Sequence, residues 1–422
     1  MKKLFVLLLC LLTLSSVMAT GAKEQAVEEE NGPIELLFWI RTSDSFVNDQ
    51  AAKYMELNPN VKIEVEAVGA GYADLRKKFN LGIQSGELPD ISVAGWSGIG
   101  TLYDAGAIVD IAKINGNEAL MSDIVESFTK RCRYEGAIVA VPYQCSAPVL
   151  FYNKTLLNET GLEVPQTFEE LKQVAAACVK KDASGNTTIY GFNTPSDTNW
   201  YIIPAIYNFG GSYFNEKGDL VLNSEATAEV FKWWQSMVVE GIMPPNQHKS
   251  AADDFANGRV AFIFSSCGSY ANLKETMEAN GYEIGIAKFP GYKDRIVNLG
   301  GNGIIMFTKD AKKQAAAADF INFLLQPEQL QVVVDKGYLP VTNSMLNSSY
   351  VKELIATDDN IKTVYDQVDD IGIFIQHAAY STSTTELANI ASAVETYGKD
   401  ADIKSLLEAS QNTIDEFMAD YN

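Results

Sequence analysis

Ile34-Glu35-Leu36-Leu37-Phe38-Trp39 opens a run of alternating elements that ends at Asp90-Ile91-Ser92-Val93-Ala94. The first stretch is almost wholly apolar, as a strand buried on both faces is. Asn48 to Leu57 carries Ala51, Ala52, Tyr54 and Met55 at helical spacing and stops at Asn58-Pro59. Val61-Lys62-Ile63-Glu64-Val65-Glu66 alternates strictly, which predicts a strand with one wet face. Tyr72 to Ser85 places Leu75, Phe79 and Ile83 on one helical face, and Gly86-Glu87-Leu88-Pro89 turns into the apolar strand at 90–94. Strand, helix, strand, helix, strand at this spacing is a βαβ succession, which predicts a parallel sheet in an α/β protein.

The pattern continues downstream. Gly136–Pro142 and Val149–Asn153 predict strands, and Thr167 with Glu169 and Glu170 predicts a capped helix running to about Lys180. Glu225–Glu240 and Ala311–Leu325 are helical, Val260–Phe264 and Ile304–Phe307 are strands, and Ser348–Asn422 is mostly helical. A chain of 422 residues, 47% hydrophobic, can fill more than one core, and chains beyond about 250–300 residues usually divide.

Lys2 and Lys3, the apolar run Leu4–Leu14 and the small residues ending at Ala19 have the layout of a cleavable signal peptide over 1–19. The run is short of the roughly 20 residues a membrane span needs. Residues 20–32 lack apolar periodicity and read as a disordered acidic leader. Periplasmic or extracellular localisation follows as an expectation. The formal charge of −21 argues against nucleic acid and anionic lipid as partners, because both need a basic face. It suits a small or neutral partner and an exported monomer.

Catalytic patterns are sparse. Gly95-Trp96-Ser97-Gly98 breaks G-x-S-x-G at its last position, and there is neither H-E-x-x-H nor a P-loop. The two histidines, His248 and His377, are far apart, which weakens Ser/His/Asp, Cys/His and His-metal schemes together. Cys132, Cys145, Cys178 and Cys267 form no C-x-x-C, so no metal or cofactor is expected. A Cys132–Cys145 disulfide and four buried free thiols both remain open. Acidic neighbours such as Asp253-Asp254 suit a solvated surface, although paired carboxylates could serve a secreted carbohydrate hydrolase, the rival reading.

Aromatic and small polar residues gather instead where strands end: Trp39 to Asp44, Gly95-Trp96-Ser97-Gly98, Tyr143-Gln144-Cys145-Ser146 and Ser265-Ser266-Cys267-Gly268-Ser269. Open α/β sheets bind ligands outside the carboxyl ends of their strands. Rings there can cover the C–H faces of a sugar while hydroxyl and amide groups bond its oxygens, which is binding without reaction.

Gly82 to Ile91 is similar to a "G…G..PDI" segment, Pro165 to Leu171 to "P.TW.EL", and Gly258 to Phe262 to "G.aAM". Ala316 to Glu328, followed by Gly337-Tyr338-Leu339-Pro340-Val341, is similar to "A..F..FL..PE…GYLPV". In this order the chain resembles the extracellular solute-binding proteins of ABC importers, the family of maltose- and glycerol-3-phosphate-binding proteins. The resemblance implies a two-lobed periplasmic-binding-protein fold, two interleaved α/β lobes with a hinge and an interlobe ligand cleft. It implies a non-enzymatic receptor that delivers a sugar, oligosaccharide or polyol to a membrane permease. By analogy the chain crosses between lobes near Gln144–Pro148, Asn298–Gly301 and Leu339–Val341. Lobe one is then 33–146 plus 300–340, and lobe two is 147–299 plus 341–422.

Carried over residue by residue, Tyr72 matches a ligand tyrosine of the glycerol-3-phosphate-like branch, and Ser146 a ligand serine. Trp96 stands where that branch carries a glutamate, and Trp200 lies near an aromatic wall. Ser266 falls in a Ser-Ser-x-Gly-Ser turn, Gly301 in a Gly-Gly turn, and Tyr338 in Gly-Tyr-Leu-Pro. Trp39 is a candidate cleft wall and His377 a candidate lining residue. Arg41, a lone cation, reads either as a ligand contact or as a surface pair with Asp44. The branch's late phosphate-binding arginine is missing: no Arg follows Arg295, and the neighbourhood reads Gln376-His377-Ala378-Ala379-Tyr380. A neutral ligand fits Trp96 and Trp200 better than a phosphate does.

Overall fold

A computed structural model describes residues 32–114, 121–196, 198–291, 295–373, 375 and 377–421. The signal-peptide reading of 1–19 and the leader reading, save Gly32, lie outside the described residues. Two five-stranded sheets organise the chain. Their strands, in chain order, are β1 Ile34–Arg41, β2 Val61–Gly69, β3 Ile91–Gly95, β4 Val141–Ser146 and β5 Pro148–Asn153. They continue as β6 Lys180–Lys181, β7 Thr187–Asn193, β8 Val260–Ser266, β9 Ile284–Lys288 and β10 Gly300–Met306.

The first sheet runs β2-β1-β3-β10-β4 and the second β9-β5-β8-β7-β6. β1 pairs in parallel with β2 and β3, as the βαβ pattern predicts. The sheet is not wholly parallel, because β10 enters antiparallel to both β3 and β4. That strand arrives from some 150 residues downstream, and no local periodicity reveals where it inserts. Helices cover both faces of β1. Phe38 meets Phe320 of the helix Ala311–Leu324 on one side, and Trp39 stacks on Phe79 of the helix Tyr72–Ser85 on the other.

In the second sheet β5 lies antiparallel to β8 and β9, and β8 parallel to β7. Phe168, Phe192, Phe264, Phe289 and Trp233 pack there edge to face. Thr167 caps the helix Phe168–Cys178: its hydroxyl accepts from the Glu170 N–H, and the Glu170 carboxylate accepts from the Thr167 N–H. Such a capping box contributes about 1 kcal/mol. Trp233 and Trp234 are buried on the helix Glu225–Val239.

The Gly136–Pro142 stretch divides into a short hairpin strand, Ala137–Ile138, and β4. All four cysteines among the described residues are free and buried, so Cys132 and Cys145 are thiols, not a disulfide. Only Ala147 separates β4 of the first sheet from β5 of the second. Leu299 similarly separates β10 from Val297–Asn298, which pairs with Ile371–Ile373. Leu339 donates its N–H to the Cys145 carbonyl at 2.8 Å, beside the first of these passages. The carboxyl ends of β1, β3 and β4 and the start of β10 therefore share one edge, which faces the second sheet across Ala147.

Candidate ligand-binding cleft

At that edge β1 delivers Arg41, and a single turn, Thr42–Asp44, returns Asp44 beneath it. Arg41 grips the carboxylate through two nitrogens, Nε to Oδ2 at 2.9 Å and Nη2 to Oδ1 at 2.8 Å. The carboxylate side chain is 2% exposed and that of Arg41 13%, so the pair is buried with its cation outermost. The surface-pair reading is thereby corrected. Arg41 Nη2 also donates to Gln144 Oε1 at 3.1 Å, and Gln144 Nε2 donates to Asp44 Oδ1 at 3.2 Å. Asn302 Nδ2 donates to Gln144 Oε1 and, at 3.1 Å, to the Tyr72 hydroxyl.

Tyr72 holds the first position of its helix, whose start is fixed by the Asp74 carboxylate accepting from the Gly71 N–H. The Arg41 guanidinium carbon stands 4.3 Å above the Tyr72 ring, within cation–π range. The Arg41 charge also acts on the nearby Tyr338 hydroxyl. Burial opposes the positive charge of Arg41, but Tyr72 and Asp44 outweigh it and hold Arg41 firmly protonated. Burial pushes both tyrosine hydroxyls upward against the opposing pull of Arg41, so both remain neutral donors at neutral pH.

Tyr338 reaches toward the second sheet. Its ring packs on Gly268, in the turn where the Ser266 hydroxyl accepts from the Gly268 N–H at 3.2 Å. Trp96, just past β3, donates Nε1–H to the Gly300 carbonyl at 3.0 Å. Trp200, on the helix Thr198–Asn208, lies on the Cα of Gly300: a Cβ there would stand 2.4 Å from the indole and 2.8 Å from Ser146 Oγ. Gly301 has φ +88°, and a Cβ on it would fall 1.6 Å from the Gln144 carbonyl oxygen, so only glycine fits.

The structure thus brings together Arg41, Tyr72, Trp96, Ser146, Trp200, Gly301 and Tyr338, with Ser266 behind Tyr338. It packs Trp39 elsewhere. That ring is 4% exposed, stacks on Phe79, has the Lys78 ammonium 4.1 Å from its centroid, and belongs to the core against the first sheet. His377 contacts Phe214 and accepts from the Ala379 N–H, rather than joining the Arg41 group. Arg131 does reach the late stretch around it: Nη1 donates to the Ile375 carbonyl at 2.9 Å. Gln376 lies outside the described residues. Sequence reasoning missed Asp44, Gln144 and Asn302 as the centre of the network. A glutamine inside the otherwise apolar β4 was the available signal, since a polar side chain buried in a strand needs partners.

The chain matches the family model described as bacterial extracellular solute-binding protein over residues 49–363. It belongs to that family. Its relatives include a maltotriose-binding protein of Pyrococcus abyssi, 27% identical over 384 residues, with 86% of this chain and 77% of the relative covered. The sn-glycerol-3-phosphate-binding periplasmic protein of Escherichia coli K12 is 24% identical over 366 residues, covering 81% and 77%. The fold matches the crystal structure of a Mycobacterium tuberculosis protein, UgpB, in complex with glycerophosphocholine. The TM-score is 0.80 at 21% identity, over 92% of this chain and 99% of that one. This solute-binding protein is accordingly a two-lobed α/β receptor of the extracellular kind, which implies export.

Proposed function

We propose that this solute-binding protein captures a sugar, oligosaccharide or polyol between its lobes and delivers it to an ABC-transporter permease, without chemical change. One observation carries the reading: Trp96 from the first lobe and Trp200 from the second converge on Gly300, beside Ser146. A ligand touching both rings binds the closed arrangement better than an open one and shifts the population toward it. In this reading Tyr72, Trp96, Ser146, Trp200 and Tyr338 contact ligand, Gly301 shapes the crossing, and Ser266 holds the turn under Tyr338. Trp39 and His377 have no part in it. The passages at 144–148, 298–301 and 339–341 serve as the hinge. The mature monomer works in the periplasm or outside the cell after removal of residues 1–19.

The maltotriose and glycerol-3-phosphate relatives frame the test. Isothermal titration of the purified mature protein against a sugar and polyol panel should give saturable binding with the ligand recovered intact. Release of product from an oligosaccharide would overturn the reading in favour of a hydrolase.

A further inference from the structure

The central cation of the cleft floor is cancelled by design of the fold. Asp44 lies behind Arg41, more deeply buried, and forks it with both carboxylate oxygens. Gln144 accepts a further hydrogen bond from Nη2, so Nε and Nη2 of the guanidinium are committed to acceptors of the protein itself. The other buried arginine near the late stretch, Arg131, gives Nη1 to the Ile375 carbonyl.

The remaining polar atoms favour donors on the ligand. Asn302 Oδ1 and Asn298 Oδ1, on either side of Gly300-Gly301, are buried and have no partner among the described residues. A carbonyl oxygen in that position is satisfied by a hydroxyl and repels a phosphoryl oxygen. The chain's formal charge of −21 adds a long-range field against anions.

We propose that Asp44 is a specificity-determining residue: by neutralising Arg41 it makes the cleft select an uncharged, hydroxyl-bearing solute over a phosphorylated one. This rests on the reading of the cleft as the solute site. Asp44 acts through Arg41, so its removal changes which ligand is preferred. With the counter-charge gone, Arg41 becomes an uncompensated cation, and such a cation in a partly buried site attracts phosphate strongly.

The test compares maltotriose and sn-glycerol 3-phosphate as calorimetric probes of three proteins: wild type, Asp44→Asn, and the double variant Arg41→Gln/Asp44→Asn. Wild type should bind maltotriose at least about 100-fold more tightly than glycerol 3-phosphate. Asp44→Asn should shrink that ratio at least about 10-fold through tighter phosphate binding that weakens with salt, and the double variant should abolish the gain. If Asp44→Asn is too unstable for calorimetry, the Tm rise with glycerol 3-phosphate should grow relative to that with maltotriose, compared with wild type. A wild type that prefers glycerol 3-phosphate, a folded Asp44→Asn with an unchanged ratio, or relative Tm shifts unchanged from wild type would overturn the role of Asp44 alone. Absence of saturable binding to any sugar, polyol or phosphate would overturn the proposed function together with it.

Discussion

Gly301→Ala tests the crossing segment directly. Gly301 pairs with Cys145 across β10 and β4, in a left-handed conformation with φ +88°. An L-residue there costs about 1–2 kcal/mol in backbone energy alone. The added Cβ would also lie 1.6 Å from the Gln144 carbonyl oxygen and 2.7 Å from its carbon. Backbone atoms cannot step aside as a side-chain tip can, so the two strands must separate locally. Overpacking of that kind costs about 1–3 kcal/mol. Together the losses come to about 2–5 kcal/mol. In urea, a slope of about 3 kcal/mol per M turns this into a midpoint lowered by roughly 0.7–1.7 M. Far-ultraviolet circular dichroism and tryptophan fluorescence should both report it. The same displacement moves Asn302, next in β10, away from Gln144 and Tyr72, so solute affinity should fall as well. A loss below about 1 kcal/mol with full solute binding would refute the steric argument and the close approach of β10 to β4.

Gly300→Ala should behave differently, because its new methyl meets the Trp200 indole and the Ser146 hydroxyl rather than backbone. The side chains can shift, so solute affinity should drop at least about 10-fold for a stability cost nearer 1 kcal/mol, read by calorimetry and thermal melts. Trp39→Phe should leave solute affinity unchanged and cost about 1–2 kcal/mol of stability. The lost indole N–H has no partner among the described residues, and the remaining ring can still stack on Phe79. His248 donates toward Glu395 Oε1 at 2.9 Å and contacts the Thr194 carbonyl, while Trp234 Nε1 shares the same carboxylate. Burial opposes the imidazolium, but Glu395 and Thr194 outweigh it and raise the His248 pKa above 6.5. A raised folded-state pKa contributes stability that is complete below 6.5 and disappears as pH rises through the raised value. Tm should therefore decline as pH rises above 6.5 through the raised value, and Glu395→Gln should flatten that decline; an unaltered profile would rule His248 out as its source.

The elements from Ile34 to Gly95 were legible because each carries its own periodicity and punctuation. Tyr72–Ser85 has the predicted limits, and β1, β2 and β3 extend the predicted strands by only a few residues. The cleft was legible only in part. Strand ends flagged Arg41, Trp96 and Ser146 because ligand sites form there, whereas residue type alone could not separate Trp39 from Trp96. The two differ in what packs against them: a helix covers Trp39, while Trp96 meets a glycine of another strand.

Composition, local periodicity and motif order determine an α/β chain, its family and its export. These depend on patterns a few residues to a few tens of residues long, and each can be read without knowing its neighbours in space. Tertiary structure alone decides that β10 inserts between β3 and β4, that Trp96 and Trp200 meet on Gly300, and that Asp44 is buried under Arg41. Burial determines whether an Arg–Asp pair three residues apart is a solvated decoration or a cancelled charge at the floor of the proposed cleft. The network around that pair is built by Gln144 and Asn302, which lie about 100 to 260 residues away along the chain.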